Sequence, residues 1–260
     1  MTRLALLGGI YSNYLALEAA LVDARNRGVD AVYCLGDLGA FGPHPDRVFP
    51  LLDEHNVQCV QGNYDDSIGR ELSDCQCGYT DPRDNYFGKL SFDYTLANTN
   101  RSNRAFLREL PKEIRLEVDG TRILLCHGSP RKMNEFLWES TSPTPFLDWL
   151  ADEACVDVIA ATHTGIKWQR ELSGSRGFVN VGVLGRPEND GCTHVWYCLL
   201  DISLSSAEVQ FVPVEYDFTR LAAEMAQERL PDEFIRTIET GWWTTCLEIL
   251  PARERSAGKY

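Results

Sequence analysis

The sequence has few basic residues and no long apolar run. It carries 25 lysines and arginines against 38 aspartates and glutamates, which gives a formal net charge of −13. A field of that sign repels polyanions, so we expect neither general nucleic-acid binding nor attachment to a membrane surface. No apolar stretch is long enough to span a bilayer, and residues 1–7 are more typical of a first strand than of a signal peptide. We therefore expect a cytoplasmic protein.

Cysteine pairs at zinc-finger spacing are also missing. The chain has nine cysteines, and most of them lie in apolar runs, where we expect buried reduced thiols. Cys75 and Cys77 form a Cys-x-Cys pair in a predicted loop, and without a second pair this is a weak sign of a metal site. The role of that loop stays open. The cysteines expected to be buried are Cys34, Cys59, Cys126, Cys155 and Cys198.

The length and composition are those of an ordinary globular protein. The 260 residues, 44% hydrophobic and 24% charged, suffice for one large α/β domain with an appendage. We place the domain at residues 1–216 and a helical extension, packed on it, at residues 217–260. The extension contains Trp242 and Trp243, for which core packing is the simplest role, with a lid or a dimer contact as alternatives.

Strand and helix patterns alternate at the start of the chain. Apolar residues repeat at helical spacing after Asn13, which is placed to cap the helix. The predicted elements are strands at 3–8, 31–35 and 57–60 and helices at 14–28 and 45–55. This order predicts a parallel sheet with right-handed crossovers.

The rest of the chain is less regular. Asp119-Gly120 is typical of a hairpin turn, and Ser102 is placed to cap a helix. Residues 71–86 are rich in Asp, Gly and Pro, so we predict a long loop there and consider it a second candidate lid. The further predicted elements are helices at 86–97, 102–110, 144–152, 217–228 and 231–240, and strands at 114–118, 121–126, 156–160 and within 178–214.

Four polar residues come directly after apolar strands. They are Asp37, Asn63, His127 and His163. The carboxyl ends of parallel strands meet at one edge of a sheet, where ligands bind. Any one of these residues alone is more typical of a turn or a packing contact. Together they form a nitrogen and oxygen ligand set that suits a divalent transition metal.

Several short motifs follow one another along the chain, at residues 13–21, 34–38, 42–43, 62–65, 127–130 and 180–187. In this order they resemble the calcineurin-like metallophosphoesterases, specifically their compact bacterial branch. The similarity extends over residues 3–215. It implies the layered α/β sandwich of that family, with parallel and mixed sheets flanked by helices.

The family motifs imply two metal ions bridged by one aspartate, which is Asp37 in this chain. One metal further takes an asparagine and two histidines in the family. The matching positions hold Asn63, His127 and His163, so the resemblance implies that all ligands of this metal are present.

The ligands of the other metal are missing. Apart from the bridging Asp37, its positions hold Gly9, Tyr11 and Gly165. Because every change falls on one metal, we favour a site kept for one ion of Mn, Fe, Zn or Ni over a relic without metal. Tyr64 stands where the family has its usual proton donor, so the catalytic residue is unknown.

Other residues near the motifs offer alternatives. A tyrosine can ligate ferric iron, and some family members use one, but from a position that holds Phe41 here. Tyr11 is therefore expected to pack or to form a hydrogen bond rather than to bind metal. Asp65 and His44 lie in loops from which either side chain has access to the site.

Two functions follow from the resemblance. The first is hydrolysis of a phosphate mono- or diester, with Asn13 and Arg186 contacting a small phosphorylated substrate. The second is non-catalytic binding of a phosphorylated ligand or partner. Neither the substrate nor the oligomeric state is indicated. Further basic residues in nearby loops, which are otherwise expected on the solvated surface, are Arg83, Arg131, Lys132 and Lys167.

Overall fold

Strands supply the centre of the fold. The computed structural model describes residues 1–204 and 206–258 of the chain. Within that part the strands are β1 (Thr2–Leu7), β2 (Ala31–Cys34), β3 (Gln58–Cys59), β4 (Glu113–Val118), β5 (Thr121–Cys126), β6 (Val158–Ala161), β7 (Lys167–Glu171), β8 (Gly177–Val181), β9 (Val195–Ser203) and β10 (Ser206–Val214).

Helices cover the outer faces and the C-terminal part. They are α1 (Tyr14–Asn26), α2 (Val48–Glu54), α3 (Asn63–Gly69), α4 (Pro82–Asn98), α5 (Arg101–Glu109), α6 (Thr144–Ala154), α7 (Phe218–Gln227), α8 (Asp232–Thr240) and α9 (Ala252–Ala257). Single 3-10 turns lie at Pro45–Arg47 and Ser173–Ser175. Among the described residues, no helix combines the length and the apolar character needed to cross a membrane.

The strands form two mixed sheets of five strands each in the described part of the chain. The first has the order β10-β9-β1-β2-β3 and the second β4-β5-β6-β8-β7. The strands β1, β2 and β3 are parallel, as the alternation of strands and helices predicts. β5, β6 and β8 are also parallel, whereas β4, β7, β9 and β10 pair antiparallel. The predicted α/β sandwich with parallel and mixed sheets is confirmed.

The two sheets face each other across an apolar core. Because side chains alternate along a strand, Leu4 and Leu6 of β1 point to the second sheet, and Ala5 and Leu7 point to the helices. A fully buried leucine stabilises the fold by roughly 1.5–3 kcal/mol. The apolar core between the first sheet and the helices continues into the C-terminal part, where it includes Leu221 of α7. The domain boundary at residue 216 stays a prediction.

Some predicted elements differ from the observed ones. Helix α3 was not predicted, because most of its buried side chains are polar and give no apolar repeat. Helix α4 begins at Pro82, inside the predicted loop, since the carboxylate of Asp81 caps it by accepting from the Arg83 amide. The predicted cap Ser102 is wrong: the side chain of Asn100 accepts from the amide of residue 103.

Three further differences concern a strand and the cysteines. Strand β7 was missed, because its sequence is mostly polar and half exposed. Cys155 ends α6 with a φ of 55° and is exposed, so its predicted burial is wrong. Cys75 and Cys77 are joined in a disulfide, and this pairing leaves neither sulfur as a free thiolate for a metal ion.

Candidate metal centre

The predicted metal ligands lie together at the carboxyl ends of four strands. Asp37 follows β2, Asn63 opens α3 after β3, His127 follows β5 and His163 follows β6. All four side chains are buried, with exposed fractions of 3%, 2%, 1% and 9% respectively. The two sheets therefore bring one edge of each to a common point.

The Nε2 atom of His127 is at the centre of the group. It lies 3.3 Å from Oδ2 of Asp37, 3.0 Å from Oδ1 of Asn63 and 3.2 Å from Nδ1 of His163. One ligand atom from each of Asp37, His127 and His163 lies within 4.8 Å of the others. A single ion with ligand bonds of about 2.0–2.2 Å can bridge the separations of 3.0–3.3 Å around Nε2 of His127.

Hydrogen bonds fix which atoms face the centre. Nδ1 of His127 donates to the Leu35 carbonyl at 2.7 Å, which leaves the lone pair of Nε2 directed inward. The amide nitrogen of Asn63 donates to the Cys75 carbonyl at 2.8 Å, so its oxygen also points inward. Together with the carboxylate of Asp37, the His127 nitrogen and the Asn63 oxygen converge on one point. The donor set and its orientation fit a divalent transition metal ion.

The protonation of the two histidines differs. Burial lowers the pKa of His127, but the charge and the hydrogen bond of Asp37 more than offset this, and the pKa is raised above its ordinary value. Burial, together with the neighbouring charge of His127, lowers the pKa of His163 to about 3. His163 is thus neutral at physiological pH, as a metal ligand must be.

The backbone at the centre is strained. Asp37 and His163 have φ values of 60° and 67°, in the left-handed region that costs about 1–3 kcal/mol for a residue other than glycine. Gly62 leaves room for the Asp37 side chain, because a Cβ atom at Gly62 would lie only 2.2 Å from Oδ1 of Asp37. Strain of this kind is typical of functional sites.

Asp65 holds the loop that carries Asp37. Its buried carboxylate accepts three backbone N–H groups, from Asp37 at 2.7 Å, Leu38 at 2.9 Å and Gly62 at 2.8 Å. Burial and the charge of Asp37 raise the pKa of Asp65 to about 6. Its oxygens are thus engaged by the backbone, and His44, the other alternative, faces Glu224 at 3.7 Å.

The positions that the resemblance assigns to ligands of the other metal are crowded by large side chains. The buried ring of Tyr11 lies over Gly9, 2.6 Å from where a Cβ atom would stand. At Gly165 a Cβ atom would stand 3.0 Å from the Trp243 indole and 3.4 Å from Nη2 of Arg186. A histidine or aspartate at Gly9 or Gly165 has no room in this arrangement.

Tyr64 supports the centre through its backbone. Its N–H group donates to Oδ1 of Asp37 at 3.0 Å. Its hydroxyl group lies 3.3 Å from the Gly88 carbonyl and 3.0 Å from the Ser91 hydroxyl, both in α4. The hydroxyl is therefore bound to a helix, away from the ligand atoms.

The two predicted substrate contacts differ in their surroundings. Asn13 caps α1 by accepting from the Ala16 amide at 3.0 Å, and its nitrogen donates to the Gly185 carbonyl at 3.1 Å. These contacts give its substrate role no support. Arg186 is 7% exposed, and its Nε has no hydrogen-bond partner in the described part of the chain. The other basic candidates have different surroundings. Arg131 forms an ion pair with Glu135, and Lys167 forms one with Glu188. Arg83 lies over the Phe87 ring, and Lys132 is exposed.

Aromatic side chains close the centre from outside. The Phe136 ring lies 4.4 Å from the His163 ring, centroid to centroid, and stacks on Trp138. Trp243, from the C-terminal part, is 2% exposed and belongs to the same apolar cluster. Trp243 and Phe136 carry no sequence pattern that links them to the ligands, so sequence reasoning did not find them.

A second group of possible ligands lies on the surface. Asp190, Cys192 and His194 of one loop offer ligand atoms within 4.8 Å of one another. Asp190 and Cys192 are exposed, and the Cys192 thiol is free. This loop is a place where adventitious zinc could bind, which matters for any count of bound metal.

Comparison with known proteins gives one family and several similar chains. Residues 3–204 match the model of the calcineurin-like phosphoesterase superfamily domain. An uncharacterized protein of Methanocaldococcus jannaschii is 27% identical over 246 residues, which cover 89% of this chain and 95% of that protein.

Two crystal structures are similar over almost the whole chain. A hypothetical protein from Pyrococcus horikoshii has a TM-score of 0.77 at 22% identity, covering 94% of this chain and 100% of that one. A metallophosphoesterase from Sphaerobacter thermophilus has a TM-score of 0.69 at 22% identity, with 92% and 99% covered. At these identities the two structures establish the fold.

Proposed function

The chain belongs to the calcineurin-like phosphoesterase superfamily, and we propose that it hydrolyses a phosphate mono- or diester at a centre with one divalent metal ion. The ligands are Asp37, Asn63, His127 and His163, and the ion is Mn, Fe, Zn or Ni. The observation that carries the proposal is the convergence of their lone pairs on one buried point.

The residues of this chain prepare the centre for that chemistry. A metal ion held there would polarise a phosphoryl oxygen and lower the pKa of a bound water molecule. Leu35 holds the His127 ring so that Nε2 faces inward, and Asp65 holds the strained loop of Asp37. The aromatic side chains around His163 exclude bulk water, which strengthens electrostatic contacts inside the site.

The proposal includes one ion rather than the two of the family. The support is steric: Tyr11 covers Gly9, and Trp243 and Arg186 lie against Gly165. A second ion would lack ligands on that side. We propose no proton-donor role for Tyr64, because its hydroxyl is bonded to α4.

A second function, binding of a phosphorylated ligand without turnover, is favoured by one observation. Every proposed ligand is at least nine-tenths buried, and Tyr64 offers no proton to a leaving group. Such a protein would bind phosphate or a nucleotide but would not release product.

The test compares turnover with binding. Purified protein with added manganese is incubated with p-nitrophenyl phosphate and with bis(p-nitrophenyl) phosphate, and phosphate binding is measured by calorimetry. We expect hydrolysis that His127→Ala abolishes and that a control, His55→Ala in the α2 cap, leaves unchanged. Hydrolysis that survives His127→Ala would contradict the proposal, and binding without hydrolysis would favour the second function.

A further inference from the structure

The side chain of Arg186 is a buried cation without an anionic partner. It is 7% exposed, its Nε has no hydrogen-bond partner, and it forms no ion pair within residues 1–204 and 206–258. Burying a charge is strongly unfavourable unless a partner compensates for it. A guanidinium held in this way remains available to an anionic ligand.

Arg186 lies on the side of the centre where the family would place its other metal ion. Nη2 of Arg186 is 3.4 Å from the position that a Cβ atom of Gly165 would take, and Gly165 is two residues after His163. The guanidinium carbon also lies 5.8 Å from the Tyr11 ring centroid. Both Gly165 and Tyr11 occupy positions that carry ligands in the family.

Aromatic rings hold the guanidinium in place. Its carbon lies 3.6 Å from the Trp243 ring and 5.3 Å from the Phe41 ring. The indole of Trp243 is itself fixed, because its Nε1 donates to the Pro187 carbonyl at 2.7 Å and its backbone N–H to Asn189 at 2.8 Å. Stacking uses the faces of the guanidinium and leaves its in-plane N–H groups free to donate.

We propose that Arg186, fixed by Trp243, replaces the missing metal ion and binds the phosphoryl group of the substrate. This rests on the proposed function, because a metal ion held by Asp37, Asn63, His127 and His163 would bind another oxygen of the same group. A planar guanidinium donates two parallel hydrogen bonds to two oxygens of one phosphate. A phosphate monoester has three non-bridging oxygens, enough for the metal ion and both hydrogen bonds, whereas a diester has only two. The site therefore takes a terminal phosphate in preference to a diester.

Calorimetry with inorganic phosphate and dimethyl phosphate tests this proposal. Both are titrated into metal-free and manganese-loaded protein, and Arg186→Gln is compared with Arg25→Gln, an exposed arginine of α1. We expect Arg186→Gln to weaken phosphate binding at least tenfold in both forms and Arg25→Gln to leave it unchanged. Wild-type protein should bind dimethyl phosphate at least tenfold more weakly than phosphate, and Arg186→Gln should remove most of that difference.

Other outcomes would overturn the proposal. If Arg186→Gln lowers the melting temperature but leaves phosphate affinity unchanged, the arginine only packs against Trp243. Arg186→Lys keeps the positive charge but cannot donate two parallel hydrogen bonds, so its phosphate affinity should be intermediate. A phosphate affinity equal to that of the wild-type protein would contradict bidentate binding. If Arg186→Gln does not fold, the phosphate affinity of Arg186→Lys alone tests bidentate binding.

The results also separate this proposal from the proposed hydrolysis. Turnover together with unchanged phosphate binding in Arg186→Gln refutes only the role of Arg186. Binding that depends on Arg186 without any turnover refutes only the hydrolase.

Discussion

Gly62 allows the close approach on which the position of Asp37 depends. A Cβ atom at Gly62 would lie 2.2 Å from Oδ1 and 2.4 Å from the backbone nitrogen of Asp37. Both are far inside van der Waals contact, and one of them involves the backbone. Gly62 has a φ of −89° and a ψ of 174°, which alanine adopts freely, so the cost of Gly62→Ala comes from contacts alone.

The losses of stability and of metal affinity in Gly62→Ala can be estimated from these contacts. Relief of the overlap displaces the Asp37 carboxylate, and overpacking of this kind costs about 1–3 kcal/mol in the free energy of unfolding. That corresponds to a fall in melting temperature of roughly 2–12 °C for a chain of this size. Since ligand orientation changes, we expect metal affinity to fall about 10–100-fold.

Competition with a chromophoric chelator for manganese or zinc measures the affinity, and a thermal melt measures stability. The control is Gly177→Ala, because no heavy atom lies within 4 Å of the position a Cβ atom would take there. We expect the control to behave as wild type. If Gly62→Ala binds metal as tightly as the wild-type protein, Asp37 is not a ligand held by this loop.

Three other predictions follow from the geometry. Tyr64→Phe should leave the rate of hydrolysis unchanged and cost about 1 kcal/mol of stability, because the hydroxyl bonds to α4; a fall in kcat of about 10²–10⁴ would make Tyr64 the proton donor. Metal binding requires neutral His127, whose pKa is raised, whereas the pKa of His163 is about 3. Metal affinity should therefore rise about tenfold per pH unit below the raised pKa of His127, and a hundredfold rise per unit would mean that a second group must also lose a proton. Trp243→Ala should cost about 3–5 kcal/mol in a denaturant melt, and a loss below about 1 kcal/mol would contradict its buried role.

The order of strands and helices in the first sheet was predictable, because each of these elements has a local sequence pattern. Apolar strands, helical repeats and glycine-containing turns alternate along the first sixty residues, and β1, β2 and β3 are parallel as this order requires. The second sheet was expected from the resemblance of the short motifs to the family. Asp37, His127 and His163 were expected to lie together because each of them follows the carboxyl end of a strand.

The surroundings of the centre were not predictable in the same way. Trp243 reaches Gly165 and Arg186 from a segment far along the chain, and no periodic pattern marks such a contact. Helix α3 was missed because it buries polar residues, which serve the Asp37 loop instead of an apolar core. Tyr64 matches a family position in sequence, yet its hydroxyl bonds to α4, and only side-chain geometry reveals this.

Anomalous diffraction from crystals grown with manganese counts and places the bound ions at once. Cys192→Ser protein is used, so that the exposed loop cannot contribute a second site. We expect one manganese peak, within ligand distance of Asp37, Asn63, His127 and His163. Two peaks about 3.5–4 Å apart, or no peak among these side chains, would contradict it.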